Sequence, residues 1–500
     1  MEFDIKRLTS IKSPQAFRER MLALGLEVPI DDSILTAPTS SLASTINIGG
    51  FKIGNRYCIH PMEGWDATTD GHPTPDLIRR WRRFGESGAK FLWGMEAVAV
   101  RPDGRANPNQ LMAKSEIMGE LRRAVDECLE AHVASFGTAD DLLWGLQLTH
   151  SGRFCRPHDK KKLEPKLVYS HPILNRKFNL PDDFPIMTDD DIRDLIEHYV
   201  KAAILAEKAG VPFVDIKQCH GYLGHEFLSA YTRKGPYGGP SLEGRTRFAR
   251  EIIQGIRQAA PKLILGVRLS AFDFVPFKPN PLLATGGHLG PGMPEDFDEC
   301  LPYQYGFGIN QKNPLEYDLT EPQQYLKLLK SWGVSVVNVS AGSPYYNPHI
   351  QRPALFPPSD GYQPAEDPMI NVARQMEAVR KLKRAAPEMP MVSSGLTYLQ
   401  EYIPHVAQAL IREGWTDFAG IGRMVLSYPR IIADSLEKGK LETKFICRTF
   451  SDCTTAPRNG VKSGCYPLDE YYRASKEGEQ VRQIKKDQKE GLQWLPRTMK

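Results

Sequence analysis

Two short segments of the chain, Ser393-Ser394-Gly395 and Gly420-Ile421-Gly422-Arg423, carry the residue types that hold a phosphate. Glycine lets backbone N–H groups approach the oxygens, and a guanidinium meets phosphate through two parallel hydrogen bonds. Alone, a Gly-x-Gly-Arg segment reads as a turn as readily as a site. Lys217 supplies a second chemistry, since a buried lysine with a depressed pKa can act as a nucleophilic, Schiff-base-forming amine. Further polar residues stand at the C-terminal ends of apolar runs: Glu63, Glu96, Gln147, His150, His220, Arg268 and Ser340. What these groups can do depends on whether the chain brings them together.

The apolar runs cover residues 55–61, 91–100, 142–150, 212–220, 263–270, 335–342, 389–395 and 417–423. Each has the length of a buried strand. Segments of helical spacing alternate with them, at 75–88, 115–134, 189–210, 242–260, 323–333, 373–386, 398–414 and 429–439. Alternation of this kind implies parallel strands joined by helical crossovers. Eight repeats, with polar residues at one end of nearly every strand, favour an α/β fold of the (β/α)8 TIM-barrel type over an open doubly wound sheet. Active sites of such barrels lie at the C-terminal face, and the loops after strands seven and eight commonly bind phosphate. At those positions the two glycine segments predict a phosphorylated ligand or cofactor.

Three parts stand outside the repeat. Residues 1–45 read as an N-terminal arm, 46–440 as the barrel, and 441–500 as a C-terminal extension. The Pro- and Gly-rich stretch of about 272–320 follows strand five and reads either as a lid or as a disordered loop. The last thirty residues of the extension are rich in charge, eight Lys or Arg against four Asp or Glu, and predict a solvated or oligomer-contacting tail. Sixty-four Lys and Arg against sixty Asp and Glu give a net charge of +4, too small to suggest a nucleic-acid partner. A mean hydropathy of −0.40, with no apolar run near eighteen residues, argues against a membrane span. The N-terminus lacks the apolar core of a secretory signal, and eight cysteines in so long a chain fit a reducing, cytoplasmic setting.

Six ordered motifs carry a family resemblance over roughly residues 45–440. They are Asn55-Arg56 through Pro61-Met62, Gln147 to Arg153, and Val214 to Leu223 with Phe227-Leu228. Tyr237-Gly238-Gly239 with Ser241 to Arg245 and Arg247-Phe248, Gly266 to Ser270, and Gly420 to Arg423 complete the set. Together they resemble the old yellow enzyme family of FMN-dependent NADH:flavin oxidoreductases, related to the dienoyl-CoA reductase and trimethylamine dehydrogenase barrels. The resemblance implies FMN held by Pro61, Met62, Glu63, Ala97, Gln147, Arg268, Ser394, Gly395, Gly422 and Arg423. Gln147 and Arg268 would meet the pyrimidine edge, and Ser394, Gly395, Gly422 and Arg423 the phosphate. It also implies His220 and Lys217 as the pair clamping the substrate's acceptor group and Tyr222 as the proton donor. Lys217 stands where the family usually has histidine, so an anionic substrate group enters the reading. A pairing of Lys217 with a carboxylate such as Glu63 is the plainer alternative.

The stretch Ser340 to Arg352 would project over the flavin, making Tyr345, Tyr346, His349 and Arg352 candidate substrate contacts. In the extension, Cys447, Cys453 and Cys465 follow the spacing of the family's iron–sulfur members, but Phe450 occupies the place of the second ligand. A phenyl ring cannot ligate iron, so the motif reads as degenerate and no iron–sulfur cluster or other metal is expected; a three-cysteine site is the weaker alternative. The expected activity is NAD(P)H-driven reduction of an activated C=C in a small substrate. Two alternatives remain: a flavin-dependent amine or alcohol dehydrogenase on the same barrel, and a non-redox phosphate-binding lyase or aldolase using Lys217. A homo-oligomer and a separate electron-transfer partner stay open, as do the substrate and the choice of nicotinamide nucleotide.

Overall fold

The computed structural model describes residues 5–285 and 288–490. Gly286-Gly287 of the long loop, residues 1–4 of the arm and 491–500 of the extension lie outside the described residues. The described strands, in chain order, begin with an antiparallel hairpin, β1 (Ile46–Ile48) and β2 (Phe51–Ile53). Then come β3 (Tyr57–Ile59), β4 (Phe91–Leu92), β5 (Ala97–Ala99), β6 (Leu143–Thr149), β7 (Phe213–Gln218) and β8 (Ile264–Ser270). A second hairpin, β9 (Phe277–Pro279) with β10 (Gly292–Pro294), precedes β11 (Val336–Ser340), β12 (Met391–Ser393) and β13 (Phe418–Ile421).

Parallel pairing runs β3–β4–β6–β7–β8–β11–β12–β13 and returns from β13 to β3, so the sheet closes. The fold is a (β/α)8 TIM barrel. Its second stave is split: β4 and β5 both pair with β6, and Trp93 to Glu96 lie between them. Met95 there has φ 21°, outside the range a strand tolerates. Crossover helices include Asp189–Lys208, Leu242–Ala259 and Pro368–Ala385. Their starts are written locally: Thr188 and Asp191 form a reciprocal capping box, Ser241 accepts from Gly244 N, and Pro368 follows the capping Asp367.

Side chains alternate across each strand, so every second residue faces the barrel interior. Near the bottom these are Cys58, Phe91, Trp93, Leu143, Phe213, Val336, Val392 and Phe418, one apolar cluster that the β1–β2 hairpin closes from below with Ile48 and Ile53. The same alternation continued upward presents His60, Gln147, Asp215, Lys217, Arg268, Asn338 and Ser394. Polar groups therefore collect at the C-terminal mouth, above a dry floor.

The segment after β8 is ordered across its described residues. Its Val275, Phe277, Tyr303 and Ile309 form a small core with Ile173 and Tyr362. The extension is not simply solvated. Asp469 receives Arg79 at 2.9 Å, Lys462 reaches Asp76 at 2.8 Å, and the helix Asp452–Arg458 lies against the mouth. In the helix Lys476–Lys489 only Gly478 and Val481 are buried.

Candidate active site

Parallel register sets the layers of the mouth. Gln147 stands opposite Asp215 and Gly266; one layer higher, Lys217 stands opposite Arg268 and Asn338. Asp215 is fully buried and accepts three bonds, from Gln147 Nε2 at 2.5 Å, Trp93 Nε1 at 2.6 Å and the Arg268 backbone N–H at 2.7 Å. Burial pushes its carboxyl up to about 6, against the pull of those donors. Asp215 thus fixes the Gln147 amide while Arg268 keeps its side chain free: the buried Arg268 Nε has no partner among the described residues. Beside it, His60 accepts from Asn338 Nδ2 (3.0 Å) at Nδ1 and leaves Nε2 unpartnered. Burial and the neighbouring Arg268 cation hold that imidazole well below its ordinary pKa.

Above this layer lies a cavity of about 260 Å³, lined by residues from all around the barrel and by the extension. At one end, Glu63 Oε1 pairs with Lys217 and Glu63 Oε2 accepts from Tyr222 Oη at 2.8 Å and Trp65 Nε1 at 3.1 Å. The Lys217 ammonium also sits 3.8 Å from the centre of the Tyr222 ring. Tyr222 Oη is 2.9 Å from Tyr345 Oη, and Tyr345 stacks on Phe154 with centroids 4.0 Å apart. Burial, with Glu63 close by, raises the Tyr222 phenol well above its usual value, so it carries its proton. Lys217 is therefore not a free cation: its charge is met inside the protein by Glu63, which reaches it from the loop after β3.

His220 adopts φ 67° and is held by backbone bonds to Ser270 Oγ and from Ser343 Oγ. A histidine in this left-handed region is uncommon, and the two bonds hold it there. Its Nε2 meets Ser340 Oγ at 3.0 Å and accepts from Gln351 Nε2 at 3.1 Å. Desolvation, with Arg268 and Lys217 nearby, keeps this ring neutral.

The other end is built from Ser394, Gly395, Gly422 and Arg423 together with Arg352, Thr454 and Arg458. Gly395 has φ 84°, which favours glycine, and a Cβ on Gly420 would sit 2.2 Å from His60 and from the Ser393 carbonyl. Arg423 Nη1 is buried with no partner, and Arg352 bonds only Thr454 Oγ1. Burial and repulsion from Arg423 and Arg458 bring Arg352 below its ordinary pKa. Arg458 alone of the three has a carboxylate, Asp360. Among the described residues no carboxylate pairs with Arg352 or Arg423.

Most residues expected at the site converge on this cavity: Pro61, Met62, Glu63, Gln147, Lys217, His220, Tyr222, Arg268, Tyr345, Arg352, Ser394, Gly395, Gly422 and Arg423. Three do not line it. Ala97 is buried in the split stave opposite Gln147, Tyr346 donates to Asp273 Oδ2 at 2.6 Å, and His349 Nδ1 bonds the Tyr362 hydroxyl at 2.6 Å. Trp65, Gln351, Thr454 and Arg458 line it without having been anticipated, and so does Cys453, which the sequence places only in the degenerate cysteine motif. Cys447, Cys453 and Cys465 are free thiols, and Phe450 stacks on Phe356. Among the described residues no group of three or more His, Cys, Asp or Glu side chains is arranged to hold a metal ion.

Comparison with known proteins agrees with this layout. The NADPH dehydrogenase of Halalkalibacterium halodurans is 34% identical over 239 residues, 47% of this chain and 64% of its own length. That of Geobacillus sp. is 26% identical over 398 residues, 78% of this chain and 91% of its own. The solved old yellow enzyme homologue of Zymomonas mobilis superposes with a TM-score of 0.53 at 19% identity, covering 80% of this chain and 94% of that one. This chain spans just under two thirds of the first relative and nearly all of the second. Residues 41–279, which carry β3 to β8 and the Glu63–Lys217–Tyr222 end of the cavity, match the family described as NADH:flavin oxidoreductase / NADH oxidase, a match over just under half of this chain.

Proposed function

We propose that the protein is an FMN-dependent oxidoreductase that takes hydride from a reduced nicotinamide nucleotide and passes it to an activated C=C of a small acceptor. FMN is the cofactor of the family, and the cavity fits it. The observation that carries the reading is the pair of arginines, Arg352 and Arg423, left without a carboxylate at one end of the cavity. Holding two half-buried cations side by side without counter-charge is costly, and a phosphate dianion there offsets that cost. Ser394, Gly395 and Gly422 add a hydroxyl and close backbone approach beside those guanidiniums. At the middle, the Gln147 amide and the unpartnered Arg268 side chain suit the polar edge of the ring, a fixed cation there favouring its anionic reduced form. When bound, FMN supplies hydride transfer in both half-reactions.

The residues at the far end handle the acceptor and its proton. Tyr222 holds a proton at Oη and gives it to the acceptor's α-carbon as hydride arrives at the β-carbon. Tyr345, hydrogen-bonded to it and reaching outward, returns a proton to Tyr222 from the outer space. His220, neutral and held by Ser340 and Gln351, orients the acceptor's oxygen together with Lys217. Because Glu63 balances Lys217, the pair orients a neutral carbonyl or nitro group rather than demanding a carboxylate. The same pairing works against the lyase or aldolase reading, since an ammonium bound to a carboxylate is not a nucleophile.

The test is the visible spectrum of the purified protein, followed by NADPH or NADH without oxygen. Flavin bands that bleach, and that an enone restores through Tyr222 but not through Tyr222→Phe, are the expected result. A colourless protein that takes up no FMN overturns the reading.

A further inference from the structure

Outside the redox cavity lies a second, larger one of about 590 Å³. The two share Trp65, Pro344, Tyr345, Pro457 and Arg458 as lining residues, so the outer space is a vestibule whose inner wall is the Tyr345 that bonds Tyr222. Its charge is one-sided: Arg156, Lys160, Lys161, Lys177 and Arg458 line it against a single carboxylate, Asp360. Asp360 is taken by Arg458, and Lys177 is served by the Phe277 carbonyl and by Glu295 at 3.4 Å. Lys160 bonds only the Gly460 carbonyl, at 3.4 Å. Neither Arg156 nor Lys161 forms an ion pair among the described residues. Among the described residues, Arg156, Lys160 and Lys161 thus have no carboxylate paired with them.

We propose that the vestibule is an anion subsite that binds the phosphate-bearing part of a ligand whose other end reaches the flavin past Tyr345. The proposal rests on the flavin reading for the reacting end alone; the charge argument stands by itself. Several cations within one cavity suit a group carrying several negative charges at close spacing, and low-dielectric walls concentrate their field on it. The inner cavity cannot do this at its substrate end, where Lys217 is already neutralised by Glu63. Two ligands offer the required chemistry: the pyrophosphate and 2′-phosphate of NADPH, and a phosphorylated tail on the acceptor.

Inorganic pyrophosphate is the probe. It is titrated calorimetrically into FMN-loaded protein, whose inner phosphate site is filled, and into the Arg156→Gln/Lys161→Gln variant. Saturable binding that weakens with salt, and by at least about tenfold in the variant, is expected from loss of two charge-assisted contacts. Pyrophosphate that then slows flavin reduction by NADPH, and also by NADH where the shared pyrophosphate rather than the 2′-phosphate occupies the subsite, assigns the subsite to the hydride donor. Pyrophosphate that spares reduction but slows reoxidation by a phosphate-bearing enone, and not by its dephosphorylated form, assigns it to the acceptor. No binding to the yellow wild-type protein, or equal binding to the variant, overturns the proposal. A colourless protein whose pyrophosphate binding is lost in the variant keeps the subsite and overturns the flavin reading instead.

Discussion

The two ends of the inner cavity are built on opposite electrostatic principles. At the Glu63 end every charge has its partner within the protein: Lys217, Tyr222 and Trp65 all converge on one carboxylate. At the Arg423 end three guanidiniums crowd together, and only Arg458 has a carboxylate. The first end is complete as folded and holds its donors in place before any ligand arrives. The second is complete only with an anion present. One cavity therefore combines a preorganised proton-handling wall with a cradle that depends on its ligand.

The strongest way to break this contrast is to remove a cation from each end. Lys217→Met leaves the partly exposed Glu63 carboxylate without its cation and is expected to destabilise the protein by up to about 3 kcal/mol, with Glu63→Gln/Lys217→Met recovering most of that loss in chemical denaturation. If the single variant is as stable as wild type, the balanced end is not balanced by this pair. Tyr222→Phe comes next. It removes the proton but little packing, so turnover of an enone is expected to fall about 100-fold while anaerobic flavin reduction by NADPH is unchanged. An equal loss in both half-reactions would make Tyr222 a packing residue.

A smaller effect of opposite sign is expected at the other end. Arg352→Met removes a cation that its neighbours repel, so the FMN-free variant should melt no lower than FMN-free wild type. Its affinity for FMN should fall about tenfold, the loss of one charge-assisted contact. Fluorescence titration with FMN and paired melting curves read the two quantities separately. An apo protein destabilised as Lys217→Met is would erase the distinction between the ends.

How far this contrast was legible in the sequence depends on periodicity. The alternation Phe213-x-Asp215-x-Lys217 and Val336-x-Asn338-x-Ser340 runs from apolar floor to polar mouth along single strands, and a period of two makes it readable without coordinates. The barrel and its active face are read from the coarser alternation of strand-length runs with helical segments and from the polar ends of those runs, which include Gln147, Arg268 and the two glycine segments. The flavin roles of Gln147 and Arg268 come from the family resemblance. Loops have no such period. Tyr345 and Tyr346 are adjacent, yet one lines the cavity and the other bonds Asp273, because nothing in the local spacing decides which way each points. The extension escaped for the same reason: Thr454 and Arg458 reach the mouth because Asp469 and Lys462 anchor the segment to Arg79 and Asp76, hundreds of residues earlier. The Glu63–Lys217 pair, joining the loop after β3 to the end of β7, was weighed as an alternative, but only tertiary structure chose it.

The smallest expected effect tests the balanced end at its least obvious member. An exposed histidine titrates near pH 6.5 and would impose a limb on the turnover profile in that region. His220 is half-buried, has Arg268 and Lys217 as neighbours, and accepts from Gln351 at Nε2. Each of these disfavours the imidazolium, so His220 stays neutral well into acid. The wild-type and His220→Asn profiles of enone turnover should then superimpose from pH 5.5 to 8 once scaled for rate, even though the variant orients its acceptor less well. A limb near pH 6.5 present in the wild type and absent from His220→Asn would mean that the ring gains a proton in the working enzyme. The cations around it would then be screened by something the folded chain itself does not provide, and the bound anion at the opposite end of the cavity would be the first candidate.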